Sequence, residues 1–191
     1  MASSDVLVAV SETLQNRLTA GLSSLGPPVP VAEVHDLATS PSSTPPRATL
    51  FLYDVVEEPT VRNRPKSRRL VGGDVVVRKQ PLGVCLHYLV TAWGGDRATE
   101  QQILGRVMQL MYDDAVIDGP ELAGSLAGTP TQLRVCLSPM QIEDRARVWW
   151  AIGQPYRLSI NYEVRVVDID PVAETTTTPV LSRRVDTGVP S

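Results

Sequence analysis

The stretch LGVCLHYLVTAW (82–93) constrains the fold most. Leu82, Val84, Leu86, Tyr88 and Val90 alternate with Gly83, Cys85, His87, Leu89 and Thr91. That is the period-2 pattern of a β-strand, and a strand needs partners for its main-chain N–H and C=O groups. Further stretches supply them. Arg47–Glu57 is rich in β-formers, and its Leu50/Leu52 and Phe51/Tyr53/Val55 sets are both apolar, which predicts a central strand covered on both faces. Thr131–Leu137 alternates through Leu133, Val135 and Leu137, and Tyr156–Asp168 through Leu158, Ile160, Tyr162, Val164 and Val166. Val29–His35 reads as a short strand weakened by Pro30.

Three segments carry the helical period instead. Leu7, Val10, Leu14, Leu18 and Leu22 recur at spacings of three and four, predicting a helix over 4–25 that Ser4 or Asp5 caps and Gly26-Pro27-Pro28 stops. A second runs over 97–112, with Thr99 and Gln102 as a capping box and Ile103, Leu104, Val107, Met108, Leu110 and Met111 as its buried face. A third starts where Ser138 offers an N-cap and Pro139 a first helical residue. It continues to Ile152 with Met140, Ile142, Ala146, Val148, Trp149 and Ile152 as apolar members. The order predicts an α+β fold, a single domain in which about three helices pack on one mixed or antiparallel sheet. A chain of 191 residues with 42% apolar content can build one such core. Aromatics are only 5%, so aliphatic side chains must fill it.

Pro and Gly fall mostly outside these elements, in 26–46, 58–81, 119–130 and after 170. Residues 58–80 predict a long mobile loop, with Val75–Val77 pairing briefly at most. Five of the chain's 18 cations lie there within eight residues: Arg62, Arg64, Lys66, Arg68 and Arg69. The compact domain is expected over 1–170. Residues 171–191 have few large apolar groups and predict a flexible C-terminal arm that only a partner orders.

The inventory argues against an enzyme. There is no CxxC, no Cys/His pair at metal-ligand spacing, no G-x-G-x-x-G, no Walker loop and no G-x-S-x-G elbow. Asp113-Asp114 and Asp168/Asp170 lack third ligands. His87 reads as a structural mid-strand histidine. Cys85 and Cys136 read as buried reduced thiols, a bridge between neighbouring strands staying open. No catalytic residue, cofactor or metal is therefore expected. A net charge of −3 excludes a wholly basic nucleic-acid binder, and no aromatic interleaves the cations between Arg62 and Lys79, so no nucleic acid is expected as partner. No apolar run approaches the ~20 residues of a membrane span, and MASSDVLVAV lacks the basic start of a signal peptide. A cytoplasmic protein without a direct membrane anchor is expected.

Three stretches together carry a family resemblance: LYDVVEEPTVRNRP (52–65), PLGVCLHYLVTAWGGDRATEQQILGRVMQLMYD (81–113) and LRVCLSPMQIEDRARVWWAIGQPYRLSINYEVRVVDI (133–169), with VLVAVSETLQNRL (6–18) leading. The chain resembles the cap, or tail-terminator, proteins of phage-tail-like contractile injection systems of the virulence-cassette and antifeeding-prophage type. The resemblance implies a structural role. Such proteins form a homohexameric ring at the end distal to the baseplate, close the inner tube and bind the last sheath layer. Partners are then a second copy of the chain, the sheath protein and the inner tube protein. Arg62, Arg64, Lys66, Arg68 and Arg69 are the expected docking cations, and Val180, Leu181 and Val185 the expected anchors of a strand-exchanging arm. A connector or adaptor of another phage-tail-like assembly is the alternative.

Overall fold

The computed structural model describes residues 5–60, 65–72, 74–169 and 174–177. Among the described residues there are three α-helices: α1 (Val6–Leu22), α2 (Arg97–Asp113) and α3 (Ile142–Ile152). The strands among the described residues are β1 (Val31–Val34), β2 (Arg47–Glu57), β3 (Ser67–Val71), β4 (Asp74–Arg78), β5 (Leu82–Trp93), β6 (Val116–Asp118), β7 (Gln132–Leu137), β8 (Ser159–Ile169) and β9 (Glu174–Thr177). The fold is α+β. Its main sheet has the order β1-β2-β5-β8-β7-β6. β1 runs parallel to β2 and every other pair is antiparallel, so the sheet is mixed.

β5 sits between β2 and β8, and its alternation sorts side chains onto two faces. Val84, Leu86, Tyr88, Val90 and Ala92 point to the first face, where α1 and α2 cover them. Val10, Leu14, Leu18 and Leu22 of α1 and Ile103, Leu104, Val107 and Met111 of α2 are buried there, as their spacing predicts. Fully burying one such side chain stabilises by about 1.5–3 kcal/mol. Met108 departs from the pattern and stays exposed. The two helices meet closely because residue 21 is Gly: a Cβ there would lie 2.4 Å from Leu110 Cδ1.

Polar groups on this face are paired. The buried Thr13 hydroxyl donates to the Ala9 carbonyl (2.7 Å) and accepts from the Ala123 N–H (2.9 Å), joining α1 to the 119–127 segment. Tyr88 Oη and Ser11 Oγ are 2.8 Å apart. Arg17 grips Asp114 through two nitrogens (2.6 and 2.5 Å), so the second carboxylate of Asp113-Asp114 is a structural clasp between α1 and the end of α2.

The second face is only half covered. Leu37, Leu89, Trp93 and Trp149 form a small cluster beneath α3. Leu37 holds a left-handed backbone (φ 58°) that costs a non-glycine residue about 1–2 kcal/mol. Its fully buried side chain and an N–H bond to His35 Nδ1 (2.8 Å) hold it there.

Several sequence expectations are corrected. Asp96, not a Thr99/Gln102 box, caps α2: its carboxylate accepts from Thr99 N (3.0 Å) and Thr99 Oγ1 (2.6 Å). These bonds hold the Asp96 pKa below the usual carboxylate range. α3 begins at Ile142 rather than at Ser138-Pro139. The reason is tertiary: the Ser138 N–H donates to the Asn161 carbonyl (2.9 Å), and Asn161 Nδ2 donates to the Ser138 carbonyl (3.3 Å). Ser138 thus still belongs to the β7/β8 ladder. Within α3 only Trp149 is buried, and the expected core member Ile142 faces solvent. β8 starts at Ser159, not Tyr156, because the last β5 pair is Thr91 with Ser159. β6 has no signature in the sequence, because three residues carry no periodicity.

The largest correction concerns 58–80. This segment is not only a loop: β3 and β4 form a hairpin, and β9 adds to β4 from the region read as a structureless arm. β4 leads into β5 and β9 follows β8. The β4/β9 register continues that of β5/β8 displaced by two residues (Leu86 pairs with Val164, Val75 with Thr177). The small sheet is therefore an outward continuation of the two central strands. β-branched Val75–Val77 and Thr175–Thr177 suit it.

Candidate functional site

Of the five cations that the sequence singles out, Arg68 and Arg69 lie on β3 of the three-stranded ribbon and Lys66 immediately precedes it. Lys66, Arg68 and Arg69 are exposed; Arg62 and Arg64 lie outside the described residues, as do Val180, Leu181 and Val185. Arg68 pairs with Val77 and Arg69 with Val76, so consecutive arginines point to opposite faces of the ribbon. The basic run is thus spread over both faces. Leu70, 69% exposed, shares the Arg68 face. Gln80 Nε2 donates to the Pro65 carbonyl (3.1 Å) and Ser67 Oγ to the Arg78 carbonyl (3.3 Å), closing the base of the hairpin. β3 and β9 are the outer strands of this sheet, and outer strands offer a main-chain row to which another strand can add. The main sheet ends in β1 and β6, only four and three residues long, which blunts those edges.

Two apolar surfaces add to the ribbon. On α3, Ile142 and Trp150 stand out at 61% and 84% exposure, eight residues apart on one helix side with Ala146 between them. Between the end of α2 and β7, a groove of about 520 Å³ is walled by Met108, Met111, Tyr112, Val135, Leu137 and Tyr162. A second hollow, about 500 Å³, opens at the other end of the sheet, where Arg157 stacks 4.2 Å over Trp93 and pairs with Glu100.

Beyond α3 the second sheet face is polar, with Cys85 buried and His87 and Glu163 partly buried. Cys85, His87, Glu163 and Arg165 alternate onto it from β5 and β8, and His87 is directly opposite Glu163. Arg165 Nε donates to Glu163 Oε1 (2.5 Å) and lies 3.6 Å from Glu58 Oε2. The Arg165 bond holds the Glu163 carboxyl below its usual range. Glu58, itself buried, receives Thr60 N (3.2 Å) and Thr60 Oγ1 (2.8 Å), bonds that likewise lower its pKa. Burial first, and then the Glu163 charge, push the Cys85 thiol up to about 12. Tyr53 flanks His87 with ring centroids 6.0 Å apart and donates to Asn161 Oδ1 (2.8 Å). Cys85, His87 and Glu163 are a group of described residues whose metal-ligating atoms all lie within 4.8 Å of one another.

Sequence reasoning passed over this cluster. Its only local signal is Cys-x-His on a strand, which places both side chains on one face; the third member comes from 76 residues further on. Cys136 contradicts the expectation of burial and is exposed, because β7 is beyond the cover of α3. A disulfide is also excluded: both thiols are free, and β8 separates β5 from β7. Two strand spacings are about 9.6 Å, beyond the ~7 Å limit between bridged Cα atoms. Asp168 is a residue of β8, whereas Asp170 lies outside the described residues, so that pair is not placed as a whole. Among the described residues, no helix is long and apolar enough to cross a membrane.

The family described as the Pvc16 N-terminal domain matches residues 9–183. Among solved structures, the sheath/tube terminator of a PVC extracellular contractile injection system, in its extended state, superposes with a TM-score of 0.67 at 18% identity, over 100% of this chain and 66% of that one. The tube-terminating cap of the anti-feeding prophage superposes with a TM-score of 0.62 at 19% identity, over 98% of this chain and 62% of that one. The chain thus spans just under two thirds of the proteins that it resembles. No curated protein sequence matches it.

Proposed function

The chain belongs to the Pvc16 N-terminal domain family, and from that premise we propose that it is a structural cap protein of a contractile injection system, ending the inner tube and sheath at the end distal to the baseplate. The observation that carries this reading is the likeness of the whole chain to a sheath/tube terminator. In this reading the role is non-enzymatic and the working form is a homohexameric ring assembled in the cytoplasm. The ring has the inner tube on one side and the last sheath layer around it.

The surfaces support such a role. A projecting ribbon with Lys66, Arg68 and Arg69 exposed presents charge on both faces, suited to carboxylate-bearing neighbours. Its outer strands suit strand addition. Arg62 and Arg64, which lie outside the described residues, are proposed as further docking cations from their place in the sequence. The residues after Thr177, with Val180, Leu181 and Val185, are proposed as the arm exchanged with sheath.

Electron microscopy of particles assembled with and without the chain tests the reading. Without it, tubes should lose their defined length and shed sheath. Arg68→Glu with Arg69→Glu should shift the length distribution the same way while the purified variant stays folded. Particles of normal length and full sheath in the absence of the chain would overturn the proposal.

A further inference from the structure

The polar half of the second sheet face has the donors of a transition-metal site. We propose that Cys85, His87 and Glu163 bind one zinc ion. Cys85 and His87 are i and i+2 on β5 and so share a face, while the β8 register sets Glu163 directly across from His87. Cys85 Sγ and His87 Nε2 are 3.8 Å apart. Two ligands about 2.3 and 2.0–2.1 Å from a tetrahedral zinc lie at close to such a separation. The three ligand atoms are already gathered within 4.8 Å, so binding needs side-chain adjustment and no backbone rearrangement.

The donor set selects the metal. One thiolate, one imidazole and one carboxylate suit zinc, whereas magnesium and calcium require oxygen ligands throughout. The surroundings balance the charge. A thiolate and a carboxylate neutralise the dication, and Arg165 is matched by Glu58 at 3.6 Å. Arg165 occupies one position on Glu163 Oε1, but an ionised carboxylate has about four acceptor positions, so lone pairs remain for the metal. The Arg165 bond then orients the ligand, as outer-shell partners do at metal sites. The Cys85 proton leaves to solvent on binding. Three protein ligands leave a fourth position for water. The site lies just before β5 and β8 run out towards the ribbon, so zinc would clip these strands at its base.

The test uses the full chain, stripped with chelator and titrated with Zn²⁺ and with Co²⁺ alone. One equivalent should bind, and Co²⁺ should give a thiolate-to-metal charge-transfer band together with the intense visible bands of a tetrahedral site. Cys85→Ser should abolish the charge-transfer band. His87→Gln and Glu163→Gln should each weaken Zn²⁺ binding by at least the ~10–100-fold that losing even an outer-shell partner costs. Cys136→Ser should change nothing. His87 and Glu163 are only partly buried, so His87→Gln decides the matter where Cys85→Ser does not fold. Absence of a stoichiometric equivalent, binding that His87→Gln leaves intact, or a charge-transfer band lost in Cys136→Ser would overturn the proposal.

Discussion

The two faces of the main sheet are made by the same strands and have opposite characters. On the first, Leu86, Tyr88 and Val90 of β5 meet two long helices, and the row is buried from Val84 to Ala92, with Leu82 at the start of the strand exposed. On the second, Leu89 packs beneath one short helix, His87 is only partly buried, and Cys85 at the far end is buried among polar neighbours. A face closed by its own chain is a stability element. A face left half open, with Trp150 at 84% exposure on the helix that covers it, is a surface for something else. The Cys85, His87 and Glu163 cluster also lies on this second face.

Three perturbations separate the faces. Leu86→Ala removes a fully buried side chain beneath the helices and should cost about 2–5 kcal/mol in urea unfolding, with loss of the whole fold together. A cost below 1 kcal/mol would break the idea that the first face dominates stability. Next comes pH. Tyr88 and Tyr162 are pushed up to about 12 by burial, a Ser11 bond opposing part of the Tyr88 shift. Their protons are released near pH 10 in the unfolded chain. The folded protein therefore holds more protons over that interval, and stability that is complete below about pH 10 is lost as pH rises towards 12. Each group contributes a slope of up to about 1.4 kcal/mol per pH unit. Tyr88→Phe should flatten the alkaline slope by one such share, and an unchanged slope would remove Tyr88 as a cause. The smallest effect belongs to the second face. Gly153 ends α3 with φ 75°, and its N–H donates to the Trp150 carbonyl (3.0 Å). A Cβ there meets nothing within 4 Å, so Gly153→Ala probes the backbone alone and should cost about 1 kcal/mol. Hydrogen exchange should quicken in α3 and stay unchanged in α1. Equal acceleration in both helices would show that the two faces open as one unit.

Much of the fold is legible in the residues. β5, β7 and β8 and the two long helices emerge from periodicity, and β2 from its run of β-formers, because each buries a row of apolar side chains over part of its length. Family resemblance is legible too, through motifs that record packing. The ribbon is not, since Pro65, Gly72 and the dense cations read locally as a loop; only the pairing of β4 with β9, nearly a hundred residues apart, makes it a sheet. The start of α3 fails for a similar reason. Ser138 is a good N-cap by composition but is already bonded to Asn161 on β8.

The sequence by itself therefore determines which segments alternate, which turn helical and which face of each is apolar, because these follow from spacing along one segment. Only tertiary structure decides that Cys85 and His87 meet Glu163, that Asp114 clasps Arg17, and that residues 174–177 return to β4. Each of these depends on register between distant strands or on helix docking. Hydrogen-bonded ladders set such relations across space, and no local period encodes them.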